Sequence, residues 1–257
     1  MALKIGILGG KGHYGRLLRH LIRRFTDDVE VLVSDCDASS NDSSYVEIEE
    51  LADCDAVIFA VPMDAFEDAV RELLMVPGLR EDMVFVNVCS DQRKSGAALA
   101  ELAGHHPYIC VHSPWGPEAY RNVGEDVRKL PPIILTQSNV DEATHRYLMH
   151  FVQSKGFQLA GLSADRHDTE ISANRMYLAH LVSQIMQRMG RLKDDPYDHM
   201  APLSFQDIKR GAQAVGSDLQ IFLDLWHRVP ECEQTFDEFI AAALALKSKK
   251  DAYVSAK

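Results

Sequence analysis

Between residues 3 and 136 the chain alternates short apolar, β-rich runs with stretches of helical spacing, and this alternation limits the fold more than any other feature. The runs are LKIGIL (3–8), VEVLVS (29–34), AVIFAV (56–61), MVFVNV (83–88), YICVH (108–112) and PIILT (132–136). Strands that are apolar almost throughout are buried on both faces, as in a parallel sheet covered by helices. The covering helices are visible in Leu17, Leu18, Leu21, Ile22 and Phe25, and again in Ala65, Phe66, Ala69, Val70 and Leu73, each set falling on one helical face. The expectation is an α/β architecture with a doubly wound parallel sheet.

From residue 163 the strand signal stops. TEISANRMYLAHLVSQIMQRMGRL (169–192) sets Ile171, Asn174, Leu178, Leu181, Ile185 and Met189 along one stripe and predicts a single long helix. SFQDIKRGAQAV, SDLQIFLDLWHRV and TFDEFIAAALALKSKK predict further helices, with Ser204, Ser217 and Thr235 as N-caps. The expected organisation is two domains, residues 1–162 and an all-helical 163–257.

The 257 residues are 46% hydrophobic and 25% charged, an ordinary composition for a globular chain. The net charge of −11 disfavours nucleic acid or an anionic membrane as partner. No apolar run is long enough to span a bilayer, and MALKIGILGG is too short and glycine-rich for a signal peptide, so a cytoplasmic location is expected. The five cysteines (Cys36, Cys54, Cys89, Cys110, Cys232) form no C-x-x-C pair and are predicted to be buried free thiols. The eleven histidines show no H-x-x-x-H or H-E-x-x-H spacing, so no metal site is expected, and GHH at 104–106 reads as a solvated turn.

A chemical site begins in IGILGGKGHYGRLL (5–18), where Gly10-x-Gly12-x-x-Gly15 follows the first strand and opens the first helix. In a dinucleotide-binding turn one glycine makes the bend, one lets the backbone approach a pyrophosphate and one permits close helix packing, while the helix N-terminus attracts the phosphates. The turn residues Gly10, Lys11, Gly12, His13, Tyr14 and Gly15 are thus expected at a cofactor in a Rossmann-type domain. Asp35, twenty residues past Gly15 and at the end of the second run, is placed to bond an adenosine ribose. A carboxylate there repels a 2′-phosphate, which favours NAD over NADP; Asp37 competes for the role, and Ser39, Ser40 and Ser43 could instead hold a phosphate. Val61 and Pro62 end the third run and are expected beneath the nicotinamide, although a plain strand end reads equally well.

The fourth and fifth runs end in VNVCSDQRK and YICVHSPWGPE. Ligands of open parallel sheets bind outside the carboxyl ends of the strands, so Ser90 and His112 fall on the same edge as the glycine turn. Oxidation of a carbinol needs a base for the hydroxyl proton, and neutral histidine suits that task near pH 7. From the residues alone, His112 is either that base or a histidine closing a strand.

Taken whole, the chain resembles the prephenate/arogenate dehydrogenases of tyrosine biosynthesis. The matching pieces come in the family's order: GGKGHYGRL, VNVCSDQ like V-D-V-x-S-V-K, HSPWGPE like H-P-M-F-G-P-E/D, and SADRHDTEISANRMYLAH like S-x-x-E-H-D with a histidine twelve residues on. The resemblance implies a Rossmann-type domain with NAD and a helical dimerisation domain, hence a homodimer. It further implies a cyclohexadienyl carboxylic acid as substrate, losing hydride and CO₂. By position it makes His112 the acceptor of a hydrogen bond, then a proton, from the substrate's 4-hydroxyl, with Ser90 supporting that contact. His180 reaches the substrate, Arg210 anchors a carboxylate (Arg175 being the alternative), Ser113 and Trp115 contact the substrate, and Trp115, Gly116 and Pro117 form the turn that holds His112 in place. Ser113 stands where the family usually has proline, Asp91-Gln92 where it has Val-Lys, and Arg166 where it has an acid. Asp91-Gln92 and Ser113, flanking the presumed substrate, keep open a relative that oxidises 4-amino-4-deoxyprephenate or another cyclohexadienyl acid; a third reading is a non-catalytic dinucleotide sensor, which would need neither Ser90 nor His112.

Overall fold

The computed structural model describes residues 3–36, 44–215 and 219–255, with the backbone alone for 251–255. It divides into two compact units, Met1–His167 and Asp168–Lys257.

The first unit is a seven-stranded sheet with flanking helices. Its elements are β1 (Leu3–Leu8), α1 (His13–Phe25), β2 (Val29–Ser34), β3 (Ala56–Phe59), α2 (Phe66–Leu74), β4 (Val84–Asn87), α3 (Gln92–Leu102), β5 (Tyr108–His112), α4 (Pro117–Asn122), β6 (Ile133–Ser138), α5 (Glu142–Ser154), β7 (Leu159–Gly161) and α6 (Ala164–His167). The strand order is β2-β1-β3-β4-β5-β6-β7. The chain passes from β1 outward to β2 and then back across β1 to β3, so the order reverses at the carboxyl ends of β1 and β3. In open α/β sheets that reversal opens a crevice for ligands. As the apolar runs imply, the strands carry a dense core: Ile7, Val33, Val57, Phe59 and Phe85 are fully buried. Phe59 meets Phe66 and Phe85 edge-on at 5.5 and 5.6 Å between ring centres.

Two features of the sheet depart from the sequence expectation. The sheet is not parallel throughout, because β6 runs antiparallel to β5. A parallel return needs a helical crossover over the sheet face, and the segment from β5 to β6 carries only the six-residue α4 and a short 3₁₀ turn. The thirteen-residue α5 does provide a crossover, and β7 accordingly lies parallel to β6. The three-residue β7 (LAG) was absent from the expected strands, being too short for a periodic signal. Helix α6 packs against α3 and β6, so the first unit extends to His167.

The second unit is helical: a π-helical stretch Asp168–Tyr177, then α7 (Leu178–Arg188), α8 (Leu203–Val215), α9 (Leu219–Arg228) and α10 (Glu231–Ser255). The single long helix expected over 169–192 is therefore two kinds of helix in succession and ends at Arg188. Its core is aromatic: Tyr177 is fully buried and stacks on Phe222 at 5.0 Å, with Trp226 edge-on to both. The expected caps need correction. Ser204 lies inside the first turn of α8. Thr235 lies inside α10, which starts directly after Pro230, and its hydroxyl donates to the Glu231 carbonyl at 3.0 Å. Ser217 lies outside the described residues. Among the described residues no helix is long and apolar enough to cross a membrane.

Cys54, Cys89, Cys110 and Cys232 are buried free thiols as expected, whereas Cys36 is exposed because it follows β2 at the sheet's open end. The expected solvated turn at 104–106 is half wrong. His106 is 5% exposed and stacks on Phe85 at 4.8 Å. Burial, then the neighbouring His105, pushes its pKa down.

Candidate active site

The turn from β1 to α1 is built as a dinucleotide turn requires, and each glycine does a different job. Gly9 takes φ +80°, and a Cβ there would lie 2.5 Å from the Ala60 carbonyl oxygen and 3.1 Å from Val61 Cγ1. A Cβ on Gly10 would overlap Val33 Cγ1 at 2.1 Å, and one on Gly15 would meet Gly9 O at 2.4 Å and Gly10 Cα at 2.6 Å. These positions are glycine because strand, turn and helix approach each other too closely for a side chain. Gly12 is different: a Cβ there would meet Gly9 O alone, at 3.2 Å. The space over Gly12 is open and a side chain would fill it, which fits a position where a ligand backbone comes close.

Gly12 is also the N-cap of α1, so no side chain caps the helix, and its first turn contains no acid. The positive end of a thirteen-residue helix is left facing that open space. The Lys11 amide donates to the Asp35 carboxylate at 2.9 Å, which fixes the acid at the end of β2 against the turn. Lys11 and Arg19 both lie over the Tyr45 ring, at 5.4 and 5.5 Å. His13 is exposed and pairs through Nδ1 with Arg16 at 3.2 Å. Val61 is half-buried against Gly9, and Pro62 is exposed beside it. Thus the residues expected at a dinucleotide do gather at one turn, and they fit such a group. Asp37, Ser39, Ser40 and Ser43 lie outside the described residues.

The second part of the site comes off β4 and β5, which pair in parallel with Asn87 opposite Cys110. Ser90, half-buried in the β4–α3 loop, and His112, the last residue of β5, therefore leave neighbouring strands at one edge. The loop of Ser90 is held from below: Asn87 accepts from the Cys89 amide at 2.9 Å and donates to Ser95 Oγ at 2.8 Å. His112 is 3% exposed. Its Nδ1 lies 2.8 Å from Nε2 of His167, which is fully buried on α6, with the two rings at 80°. Burial, reinforced by His167, holds the His112 pKa well below the usual imidazole value, so the ring is neutral at pH 7. A neutral imidazole anchored through Nδ1 is equipped to accept a proton at Nε2.

The two parts are joined directly. The Tyr14 hydroxyl, on the first turn of α1, shares a hydrogen bond with Ser113 Oγ, the residue next to His112. Burial raises the Tyr14 pKa against the opposing effect of that bond, which keeps the phenol protonated. Ser113 is 7% exposed and its hydroxyl also reaches the Trp115 carbonyl at 3.3 Å, so it faces inward. Trp115 is a core side chain: it packs with Leu17, Leu21 and Tyr120, stacks on Phe157, and donates from Nε1 to the Pro131 carbonyl at 3.0 Å. Both residues, expected to flank a substrate, are placed as the frame of the His112 loop.

In the helical unit, His180 is buried on α7. Arg210, on α8, is exposed and ion-paired to Asp207; Arg175 is exposed and paired to Glu170 at 3.0 Å. The residue that sequence reasoning passed over is His167. It lay within the quoted RHD motif without a role, and pattern alone could not show that α6 brings it to β5.

No protein-family model matches the chain, and no curated protein matches it in sequence. Its fold does match solved structures. Synechocystis arogenate dehydrogenase superposes with a TM-score of 0.62 at 14% identity, over 97% of this chain and 93% of that one. Prephenate dehydrogenase from Aquifex aeolicus, solved with hydroxyphenyl propionate and NAD⁺, gives 0.65 at 16% over 98% and 93%. A second structure of the Aquifex aeolicus enzyme gives 0.68 at 17% over 96% and 91%. Over nearly its whole length this chain has the fold of the arogenate and prephenate dehydrogenases, a Rossmann-like sheet followed by a helical part.

Proposed function

We propose that the protein is an NAD-dependent dehydrogenase of a cyclohexadienyl carboxylic acid, prephenate or arogenate, yielding the corresponding 4-hydroxyphenyl product and CO₂. The observation that carries this reading is the Tyr14–Ser113 bond, which ties the loop of a buried, neutral histidine to the first turn of a dinucleotide-type helix. In this reading the turn Gly10–Gly15 receives the pyrophosphate, Asp35 bonds the ribose and Val61 and Pro62 border the nicotinamide. When bound, NAD supplies the acceptor for the hydride. His112 Nε2 accepts the proton of the substrate's 4-hydroxyl as the carbon bearing it gives up its hydride, and Ser90 orients that hydroxyl. The ring carboxylate leaves as CO₂, its bonding electrons complete the aromatic ring, and His112 returns its proton to the phenolate oxygen, which gives the 4-hydroxyphenyl product. Arg210 is the proposed carboxylate anchor, with His180 as a further substrate contact. The proposed assembly is a homodimer, supported by the exposed Leu203, Ile208, Leu223, Leu244 and Leu246 on α8, α9 and α10, and the proposed location is the cytoplasm.

The test is NADH formation with prephenate and with arogenate, using NAD and NADP in parallel, for the wild type and His112→Asn. Turnover with NAD in the wild type, lost in the variant while NAD affinity stays the same, is expected. Undiminished turnover in the variant would remove the proposed base; a wild type that turns over neither acid would overturn the substrate class.

A further inference from the structure

We propose that His167 is the positioning residue for His112: it accepts a hydrogen bond from Nδ1–H of His112 and so holds that ring in the tautomer whose Nε2 lone pair faces the reaction. This inference rests on the dehydrogenase reading for its kinetics and on geometry alone for its tautomer.

A histidine serves as a base at one nitrogen only while the proton sits on the other, and what fixes the proton is the partner of that other nitrogen. Here the partner is a second imidazole nitrogen, 2.8 Å away and fully buried. The rings meet at 80°, so the Nδ1–H of one can point along the in-plane lone pair of the other. Both rings are out of water, so one proton must lie between the two nitrogens, carried by His112 or by His167, because two facing lone pairs would have no solvent to relieve them. With the proton on His112 Nδ1, the pair is satisfied and Nε2 is left as acceptor. When Nε2 takes a proton, the same Nδ1–H becomes a charge-assisted donor to His167, and no heavy atom has to move.

The device resembles the carboxylate behind a catalytic histidine in geometry and differs from it in charge. A carboxylate would stabilise imidazolium and raise the pKa of the base; a neutral imidazole does not. The charged and titratable groups on the elements that carry the pair or pack against them include Asp91, buried at the start of α3, Arg93 and Asp165, which pair with each other at 2.8 Å, and Tyr14, bonded to Ser113. The consequence is a base that stays unprotonated into the acidic range.

Three variants separate the roles. His167→Gln keeps an acceptor near the same place and is expected to retain most of kcat and the position of the acid limb of kcat/KM. His167→Leu removes the acceptor and is expected to lower kcat by on the order of 10²-fold, within the span a general base contributes. His167→Glu places a carboxylate behind His112 and is expected to move the acid limb to higher pH. An acid limb unmoved in His167→Glu, or wild-type kcat in His167→Leu, would overturn the proposal. Independently of turnover, ¹⁵N-histidine NMR of the wild type, with the resonances assigned by His112→Asn and His167→Gln, should show His112 protonated at Nδ1. An Nε2–H tautomer would overturn the proposal even if the protein oxidises no cyclohexadienyl acid, so failure of the substrate reading and failure of the positioning role are distinct results.

Discussion

Adding a single methyl group at either of two glycines, three residues apart, should have opposite consequences, and the difference follows from what each would touch. At Gly15 the new carbon would sit 2.4 Å from Gly9 O and 2.6 Å from Gly10 Cα. These are backbone atoms of the same tight turn, so α1 must move away from β1. Overpacking of this kind costs about 1–3 kcal/mol, and the gain of up to about 1 kcal/mol from replacing a helical glycine only partly offsets it. At Gly12 the new carbon meets Gly9 O alone at 3.2 Å, and the residue's φ of −59° suits any L-amino acid. There the fold should lose about 1 kcal/mol or less, a shift of roughly 2–4 °C in melting temperature for a chain of this size. The Gly12 methyl instead fills the space in which a pyrophosphate would lie against the helix N-terminus. Gly12→Ala should therefore fold nearly normally and bind NAD at least about tenfold more weakly, a loss of about 1.4 kcal/mol or more. Gly15→Ala should melt several degrees earlier. Thermal melts and calorimetric NAD titrations on the same preparations read both effects. If Gly12→Ala binds NAD as tightly as the wild type, the turn is not the phosphate site; if Gly15→Ala is as stable as the wild type, the packing argument is wrong.

Two further outcomes concern His112 and its frame. Tyr14→Phe removes one partner of the buried bond to Ser113 and should cost about 1 kcal/mol of stability. It should also lower turnover more than it weakens NAD binding, because the loop of His112 loses its tie to α1; equal turnover would show that the bond does not position that loop. Stability should also fall on mild acidification. Burial holds the folded His112 pKa below its unfolded value of 6.5, so between those values the unfolded chain binds a proton that the folded chain refuses. The stability is complete above pH 6.5 and declines as pH drops toward the folded pKa. His112→Asn should make that decline shallower but not abolish it, since His106 is shifted the same way. An unchanged slope would place His112 in a more polar setting than its burial implies.

The sheet, the glycine turn and the edge on which Ser90 and His112 stand could be read from local pattern, because periodicity and turn chemistry are properties of consecutive residues. What escaped was non-local. The reversal of β6 depends on how little chain returns from β5, and β7 is three residues whose pairing with β6 is a tertiary matter. Tyr14 and Ser113, and His112 and His167, are pairs 99 and 55 residues apart, so neither partner announces the other. Trp115 and Ser113 were expected at the substrate, and the burial of both side chains, a tertiary matter, was not legible in the sequence.

That inward turn bears on the departures from the dehydrogenase pattern. Gln92 stands where the family has lysine, yet it is fully buried. Its amide donates to the Cys89 carbonyl at 2.7 Å and to the Val111 carbonyl at 3.4 Å, and it accepts from Thr136 Oγ1 at 2.5 Å. It thereby stitches the Ser90 loop to β5 and β6. Ser113 stands where the family has proline, and it holds Tyr14. The two substitutions thus grip the residues on either side of His112, Val111 through Gln92 and Ser113 through α1. A proline at 113 would restrict the loop through its own ring, whereas serine cannot, and the bond to Tyr14 supplies the restraint from outside. Gln92 and Ser113, two of the substitutions that had motivated an altered substrate, are thus better explained as a second way of fixing the same histidine, whereas nothing in the structure explains Asp91 in the same terms. Their role is then tested by the mobility of the loop and not by the choice of ring.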